Sequence, residues 1–506
     1  MAFEPVFEKQ TLASVKRLCV HQAVVEARLL SRGGVLISKV LSIATDCTVT
    51  PSEVFSGEAR YQGRVSFKVI FIDAEGKNHS MDYNADFTDK LLSEGVSAGL
   101  KPLLSAVILD TDIVTVDERE LKLACVVEVA LDAVVSEDVN ALIKGGENVY
   151  THDDRVDFLR LVADNSVSFT ETLDISELKS GKILLSEARA VTTDRRKGLD
   201  GVIVEGKIIC DLTCEDEEGS IYSIHRVMSF LEEIPAPDIR EGGFMFATCI
   251  LNSHSVTVET DGEKNTAALE FVLTGFIRVL TDDLFHPIVD AFSVTNELKS
   301  IGQSLTICKN KYNGSFEDRV EGAVTLDINM PIADSILAVT GAKLNIASAS
   351  ATSDGHVTYD GIVSANIIYY SAETNVKSSV AVELPFSFTT AMDAVIGDTV
   401  TARGCVTNLA TKILRGNEIQ IKADIEVEVL ISGSETKYIM TDLILGEERV
   451  LQTAAFSVHV AKGGETLWDV AKALGMTPEI VLTQNPGLSL PLAGGERVMA
   501  YRQMRK

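Results

Sequence analysis

One group of side chains that could do chemistry is a set of carboxylates near a predicted strand. Asp110, Asp112, Asp117 and Glu118 lie within one short segment. Such a group could bind a cation or supply an acid/base pair. The glycine that a calcium-binding loop requires is missing, and a second copy of the segment, at 249–259, does not retain the cluster. We therefore interpret the group as a charged strand edge, where such side chains discourage pairing between sheets.

The thiols and imidazoles are not spaced as a metal or catalytic site. The eight cysteines contain no Cys-x-x-Cys motif, and their only close pair, Cys210 and Cys214, lacks two further ligands at zinc spacing. The eight histidines are dispersed, and nucleotide-binding, zinc-protease and serine-hydrolase motifs are absent. The sequence therefore predicts a protein that is not an enzyme, with no catalytic residues, metal or cofactor. A hydrolase within the repeats is the alternative, and it would need two carboxylates converging in one cleft.

The composition excludes several classes of partner. The 506 residues carry 73 acidic and 46 basic side chains, a formal charge of −27 that should repel nucleic acids and anionic lipid surfaces. No stretch is apolar enough to predict a transmembrane segment. The first 20 residues lack the apolar core and cleavage site of a signal peptide. Together with the scattered cysteines, these features predict a cytoplasmic protein.

An internal repeat indicates how the chain is organised. Three stretches share a leading glycine, a strand, a turn and a closing phenylalanine: 61–87, 204–230 and 359–386. Gly63 and Phe87 are 24 residues apart, as are their counterparts in the second copy, whereas the third copy has a spacing of 25. Apolar residues alternate from Val65 to Phe71, as is typical of a strand. The repeated feature is therefore predicted to be a β-hairpin.

Further alternating segments before and after each hairpin predict about six to eight short strands in every copy. We therefore predict a mainly β fold with three tandem antiparallel β-sandwich or barrel-like units. The spacing of the copies and the polar connectors between them place these units at 1–140, 141–295 and 296–452.

The pattern changes over 457–503, where a strand, two short helices and a closing strand are predicted. Thr466 can cap the first helix, with Asp469 as its capping-box partner. Gly475 ends this helix, and Pro478 occupies the first position of the second. The last part of the chain is therefore predicted to be a small βααβ domain.

These residues resemble a LysM domain. The resemblance rests on Gly464-Glu465-Thr466-Leu467-Trp468, on Ala471, on Asn485-Pro486 and on Leu492–Val498 with Gly495. LysM domains in general bind N-acetylglucosamine-containing glycans in a shallow groove between the loop after the first strand and the loop after the second helix. The resemblance implies a groove lined by nine residues: Gly464, Glu465, Thr466, Leu467, Trp468, Asn485, Pro486, Gly487 and Leu488.

Two positions depart from the usual LysM pattern. Glu465 stands where members usually have Asp, and Met499-Ala500 replaces a closing Ile-Pro. The sequence leaves two interpretations of Trp468 open. It could be a core residue that holds the two helices together, or it could line the groove or an interface, where tryptophan is favoured.

Tandem β-rich units, one terminal LysM-like domain and no signal peptide together resemble the SipL-like (SpoIVA-interacting) family of spore-envelope morphogenetic proteins. The resemblance implies a non-enzymatic scaffold for spore coat assembly on the mother-cell side of the forespore surface. It also implies that the LysM domain docks to a coat morphogenetic ATPase (SpoIVA-like) rather than to glycan.

For protein docking, we expect the apolar groove residues and Trp468 to carry affinity and Lys472 to steer an acidic partner. The alternative is a peptidoglycan-binding protein of the cell wall or spore cortex, with Thr466 and Asn485 hydrogen-bonding the acetamido sugar. The missing export signal favours protein docking.

Overall fold

The computed structural model describes residues 4–31, 33–237, 239, 243–261, 264–415, 417–449 and 456–501. Strands account for 76% of the residues and helices for 3%, which confirms the mainly β fold class. The extreme residues of the predicted domains, 1–3, 450–452 and 502–503, lie outside the described residues.

The strands fall into three sets of six with a short strand after each of the first two sets. The first unit comprises β1 Val6–Leu30, β2 Lys39–Phe55, β3 Glu58–Ile72, β4 Asn78–Leu92, β5 Leu103–Thr115 and β6 Glu120–Lys144. It is followed by β7 Val149–Asp153. The second unit comprises β8 Val156–Leu178, β9 Lys182–Lys197, β10 Gly201–Glu215, β11 Ile221–Pro235, β12 Phe244–Asp261 and β13 Lys264–Phe285, and it is followed by β14 Ile288–Ser293.

The third unit and the C-terminal module (residues 456–501) complete the chain. The third unit comprises β15 Asn296–Thr325, β16 Ser335–Ala351, β17 His356–Ser371, β18 Val376–Ala391, β19 Thr399–Arg415 and β20 Glu418–Glu448. The module comprises β21 Phe456–Val460, α1 Leu467–Leu474, α2 Pro478–Gln484 and β22 Arg497–Tyr501.

All three units have the same topology. In the first unit, β1, β6 and β5 form one antiparallel sheet in that order, and β2, β3 and β4 form a second. The corresponding pairs of sheets are β8-β13-β12 with β9-β10-β11 in the second unit, and β15-β20-β19 with β16-β17-β18 in the third. Each pair encloses its own apolar core, to which both sheets contribute. Each unit is therefore a sandwich of two three-stranded sheets.

The strands are longer than the short ones predicted. β15 has 30 residues and β20 has 31, and they pair along almost their whole length. Shifts of register, such as the one between Asn310 and Tyr312, interrupt the ladder without ending it. Because such bulges bend a strand while pairing continues, alternation that looks broken in the sequence belongs to one strand.

Each unit contacts both of the others. Leu41 of the first unit, Leu184 of the second and Ala338 of the third occupy one apolar cluster. At a nearby set of turns, Asn78 Nδ2 donates to Gly219 O at 2.9 Å, and Lys377 Nζ donates to the Asn78 side-chain oxygen at 2.8 Å. These contacts link one residue from each unit, so the three sandwiches pack together as one body.

β7 and β14 pair with each other and form a two-stranded ribbon. Tyr150 and Phe292 of the ribbon stack at 5.5 Å and share an apolar cluster with Val470, Ala471 and other core residues of the C-terminal module. The ribbon is therefore the part of the body on which the C-terminal module packs.

Candidate binding site in the C-terminal module

The two helices of the C-terminal module begin and end at the capping residues that the sequence predicts. Thr466 caps α1 in a complete capping box with Asp469, and Gly475 ends the helix with a left-handed conformation at φ 59°. Thr477 caps α2, which has Pro478 in its first turn. β21 and β22 pair in antiparallel register. The predicted βααβ order of the module is thus observed.

The polar side chains of the first predicted groove loop bond within the module. His459 Nε2 donates to Glu465 Oε2 at 2.8 Å, and the Lys462 N–H donates to the same oxygen at 3.0 Å. The hydrogen bond from His459 lowers the pKa of Glu465. Thr466 Oγ1 accepts from the Asp469 N–H at 3.2 Å. These side chains therefore shape the loop, while Gly464 and Thr466 themselves remain exposed.

The second groove loop is fastened to β22 by Asn485. The Asn485 Nδ2 donates to Val481 O at 2.9 Å and to Met499 O at 2.8 Å, and its Oδ1 accepts from the Met499 N–H at 2.8 Å. Both amide hydrogens are thereby used. The amide of Asn485 is occupied as a structural bridge, whereas the sequence suggested that it would hydrogen-bond an acetamido sugar. Pro486 and Gly487, which follow, are exposed.

The apolar groove residues point partly toward the core. Leu467, the first residue of α1, and Leu488, from the second loop, are half-buried and pack against the same apolar cluster of the module. The first loop is also tied to the segment before β22, because the Gly464 N–H donates to Leu492 O at 3.2 Å. The structure thus brings the two predicted loops onto a common support.

Trp468 lies at the contact between the module and the ribbon. Its Nε1 donates to Asp290 Oδ2 at 2.8 Å, and its ring packs edge-on against Phe292 with centroids 4.9 Å apart. The centroid of the His152 ring lies 5.4 Å from that of Trp468. Trp468 therefore has an interface role within the chain, joining the module to the ribbon.

Lys472 binds the same carboxylate one turn along α1. Its Nζ lies 2.6 and 2.8 Å from the two Asp290 oxygens. Asp290 therefore receives a cation and an indole N–H from the module, a charge-assisted pairing. Sequence reasoning missed Asp290, His152 and Phe292, because nothing near Trp468 in the sequence marks such distant partners, of which Asp290 is 178 residues away.

No family model, curated protein or solved structure matches this chain. Within the residues that the structure describes, no helix is long and apolar enough to cross a membrane.

One face of the two-stranded sheet in the module is apolar and open. Its five large side chains, each between 42% and 58% exposed, are Phe456, Val458, Val460, Met499 and Tyr501. The intervening residues Val498 and Ala500 are fully buried in the core of the module. Alternation along β21 and β22 thus separates a core face from an outer face. We call the five exposed residues Phe456, Val458, Val460, Met499 and Tyr501 the outer apolar face. The alternation of Val458 and Val460 was visible in the sequence, but the sequence did not show that these two side chains lie on the exposed side of the strand.

The carboxylates that the sequence offered as candidate catalytic groups lie on the surface. All four are exposed, Asp110 and Asp112 within the outer strand β5 and Asp117 and Glu118 in the turn that follows it. Among the described residues, no group of three or more His, Cys, Asp or Glu could hold a metal ion. All eight cysteines are free, and burial raises the pKa of Cys210 to about 12, which keeps it a thiol.

Proposed function

We propose that the chain is a non-enzymatic scaffold for spore coat or envelope assembly, belonging to the SipL-like proteins. Its C-terminal module would bind a protein partner, a SpoIVA-like coat morphogenetic ATPase, on the cytoplasmic, mother-cell side of the forespore surface. The resemblance of the tandem units and the terminal LysM-like domain to the SipL-like family supplies the partner class.

The observation that carries protein binding is the outer apolar face. Exposed clusters of large apolar side chains are typical of protein interaction sites, and aromatic residues such as Tyr501 are favoured at their centres. Arg497 pairs with Val460 at one end of the same face and is exposed. It could steer an acidic surface toward the face.

The body supports a scaffold role by holding the module in a defined position. The Trp468 and Lys472 contacts with Asp290 fix α1 against the ribbon. The outer apolar face belongs to the opposite side of the sheet from the buried Val498 and Ala500. A partner bound there need not displace the ribbon.

Peptidoglycan binding is the second candidate, and the exposure of the two loops favours it. Four residues of these loops are exposed and accessible to a sugar ring: Gly464, Thr466, Pro486 and Gly487. Backbone groups would have to provide most of the hydrogen bonds, since the Asn485 amide is engaged with Met499 and Val481.

Two variants separate these functions in pull-downs of the full chain with the purified coat ATPase and with insoluble peptidoglycan. Val458→Glu places a charge on the outer apolar face. Gly487→Asp alters the groove at a position where an added Cβ meets no atom within 4 Å. Ile480→Glu, an exposed apolar residue of α2, is the matched control.

We expect Val458→Glu to weaken ATPase retention by about tenfold or more, because hot-spot residues commonly contribute over 1.4 kcal/mol. Gly487→Asp and Ile480→Glu should retain the ATPase. The opposite result would establish the glycan function: the parent chain would retain peptidoglycan but not the ATPase, and Gly487→Asp would lose peptidoglycan retention. Circular dichroism of each variant checks that the fold is intact.

A further inference from the structure

A cavity of about 790 Å³ lies where the three units meet. Residues of all three units line it, mainly from the second and fifth strands of each unit. Its exposed lining residues, which mark an opening between the first and second units, include Arg64, Asp82, Asn84, Asn252 and Ser253. The volume is within the range of small-molecule sites.

Two lysines and a histidine, one from each unit, are among the residues that line this cavity, and we call them the cationic cluster: Lys68, His254 and Lys343. Lys68 Nζ lies 3.3 Å from His254 Nε2 and also donates to Ser186 O. Lys343 Nζ donates to Thr45 Oγ1 at 2.5 Å. In the described part of the chain, neither lysine has a carboxylate oxygen within ion-pair distance of 4.0 Å.

The arginines of the same wall differ, because they already have partners. Arg189 is paired with Asp211 at 2.5 Å, and Arg403 is paired with Glu428 at 3.0 Å. Their charges are largely neutralised locally, so the unneutralised positive charge belongs to the lysines. In a chain with a formal charge of −27, an inward-facing cationic cluster is not a consequence of composition.

The acidic groups near the cluster only partly balance it. The charge of Asp46 raises the pKa of both Lys343 and His254, but burial is the larger effect and lowers both. Burial raises the pKa of Glu187 to about 7, so this carboxyl is partly neutral at physiological pH. Lys343 thus lies in a desolvated part of the cavity with no carboxylate in direct ion-pair contact, an arrangement that a further anion would stabilise.

We propose that the cavity binds a small, multiply charged oxyanion, either a phosphate or a polycarboxylate, with Lys68, His254 and Lys343 as its donors. Ammonium groups form strong charge-assisted hydrogen bonds to such oxygens. Because the donors come from three units, a bound anion would also bridge the three sandwiches. This site is independent of the proposed docking function of the C-terminal module.

Isothermal titration calorimetry of the full chain with inorganic phosphate and with citrate, at constant ionic strength, tests the proposal. The variants are Lys68→Met and Lys343→Met, and the matched control is Lys122→Met on the exposed surface of β6. We expect each cavity variant to weaken binding about tenfold or more, and the control to bind as the parent does. Binding of only one anion would identify the chemistry of the ligand.

Thermal unfolding without anion separates loss of the site from loss of the fold. Removing an unpaired buried ammonium should leave the Tm of Lys343→Met equal to or above that of the parent. The anion should raise the Tm of the parent and not that of Lys343→Met. The proposal is overturned if neither anion binds the parent chain, or if Lys122→Met weakens binding as much as the cavity variants do.

Discussion

Phe87 lies directly across the β3–β4 ladder from Gly63, and its ring covers the space where a side chain at residue 63 would stand. A Cβ added to Gly63 would lie 2.2 Å from a ring atom of Phe87. The other units repeat the pair, with corresponding distances of 2.3 and 2.5 Å: Gly206 with Phe230, and Gly361 with Phe386. The glycine–phenylalanine spacing of the sequence repeat is therefore a cross-strand contact, in which an aromatic ring covers a strand glycine.

The first prediction concerns the energy of this pair. Gly63→Ala should lower the free energy of unfolding of the first unit by about 1–3 kcal/mol, because the added methyl forces the Phe87 ring from its place. Urea denaturation followed by circular dichroism measures the change. Gly487→Ala, at an open position without a positive φ, is the control and should be neutral.

The double variant identifies the cause of that cost. If the ring produces it, Gly63→Ala should cost much less in a Phe87→Ala background, since contacting residues are energetically coupled. An equal cost in both backgrounds would mean that the backbone, not the ring, excludes a side chain at residue 63.

The hairpins show how far the sequence could predict the fold. The 24-residue spacing predicted paired strands and a turn, and the structure confirms both. The 25-residue spacing of the third copy looked like a single insertion. In the structure, each of its strands extends one residue further, from Gly361 to Ser371 and from Val376 to Phe386, and the turn is one residue shorter. The pairing of the two strands decides how the residues divide between strands and turn, and the sequence of one strand does not show this pairing.

The second prediction concerns the contact between the C-terminal module and the ribbon. Trp468 is the single tryptophan of the chain, so its fluorescence reports this contact alone. Asp290→Ala removes the acceptor of both Trp468 Nε1 and Lys472 Nζ. We expect the emission maximum to shift to the red and quenching by acrylamide to increase, because the indole becomes more exposed to water.

Two further variants refine this test. Lys472→Met removes only the cation and should give a smaller shift, whereas Asp112→Ala, at an exposed strand edge, should give none. An unchanged spectrum in Asp290→Ala would show that the aromatic contacts with Phe292 and His152 hold the module without the carboxylate.

This contact also marks what could not be predicted in the candidate site. The capping box at Thr466 and the left-handed Gly475 depend on neighbours within a few residues, so the sequence indicates them directly. Trp468 and Asp290 are 178 residues apart and meet only after the ribbon has formed. Their pairing depends on packing between domains, for which a single sequence carries no local signal.

The third prediction is that Asn485 has a structural role. Asn485→Ala removes three hydrogen bonds to Val481 and Met499 and should lower the stability of the module by about 1–2 kcal/mol, since these groups can partly regain water. Thermal unfolding followed by tryptophan fluorescence measures this change. Pro486→Ala, at the next and exposed position, should leave the Tm unchanged. A stable Asn485→Ala that loses glycan retention would instead support a direct role of the amide in binding sugar.

The fourth prediction concerns pH and Glu187. Burial raises the pKa of this carboxyl to about 7 from 4.5, and its oxygens accept from the Gly341 N–H at 3.0 Å. The folded chain thus holds a proton that the unfolded chain releases between these values. Stability contributed by this group is therefore present below about pH 4.5 and is lost as the pH rises through about 7.

Glu187→Gln keeps an acceptor for Gly341 but cannot ionise. We expect the variant to be more stable than the parent at pH 8 by about 1–3 kcal/mol, and this advantage to shrink as the pH falls toward 5. Urea denaturation at several pH values measures the difference, and Glu26→Gln on the exposed surface of β1 serves as the control. A constant difference between parent and Glu187→Gln across this range would mean that Glu187 titrates near its ordinary pKa, with its charge balanced by Arg189 in the folded protein.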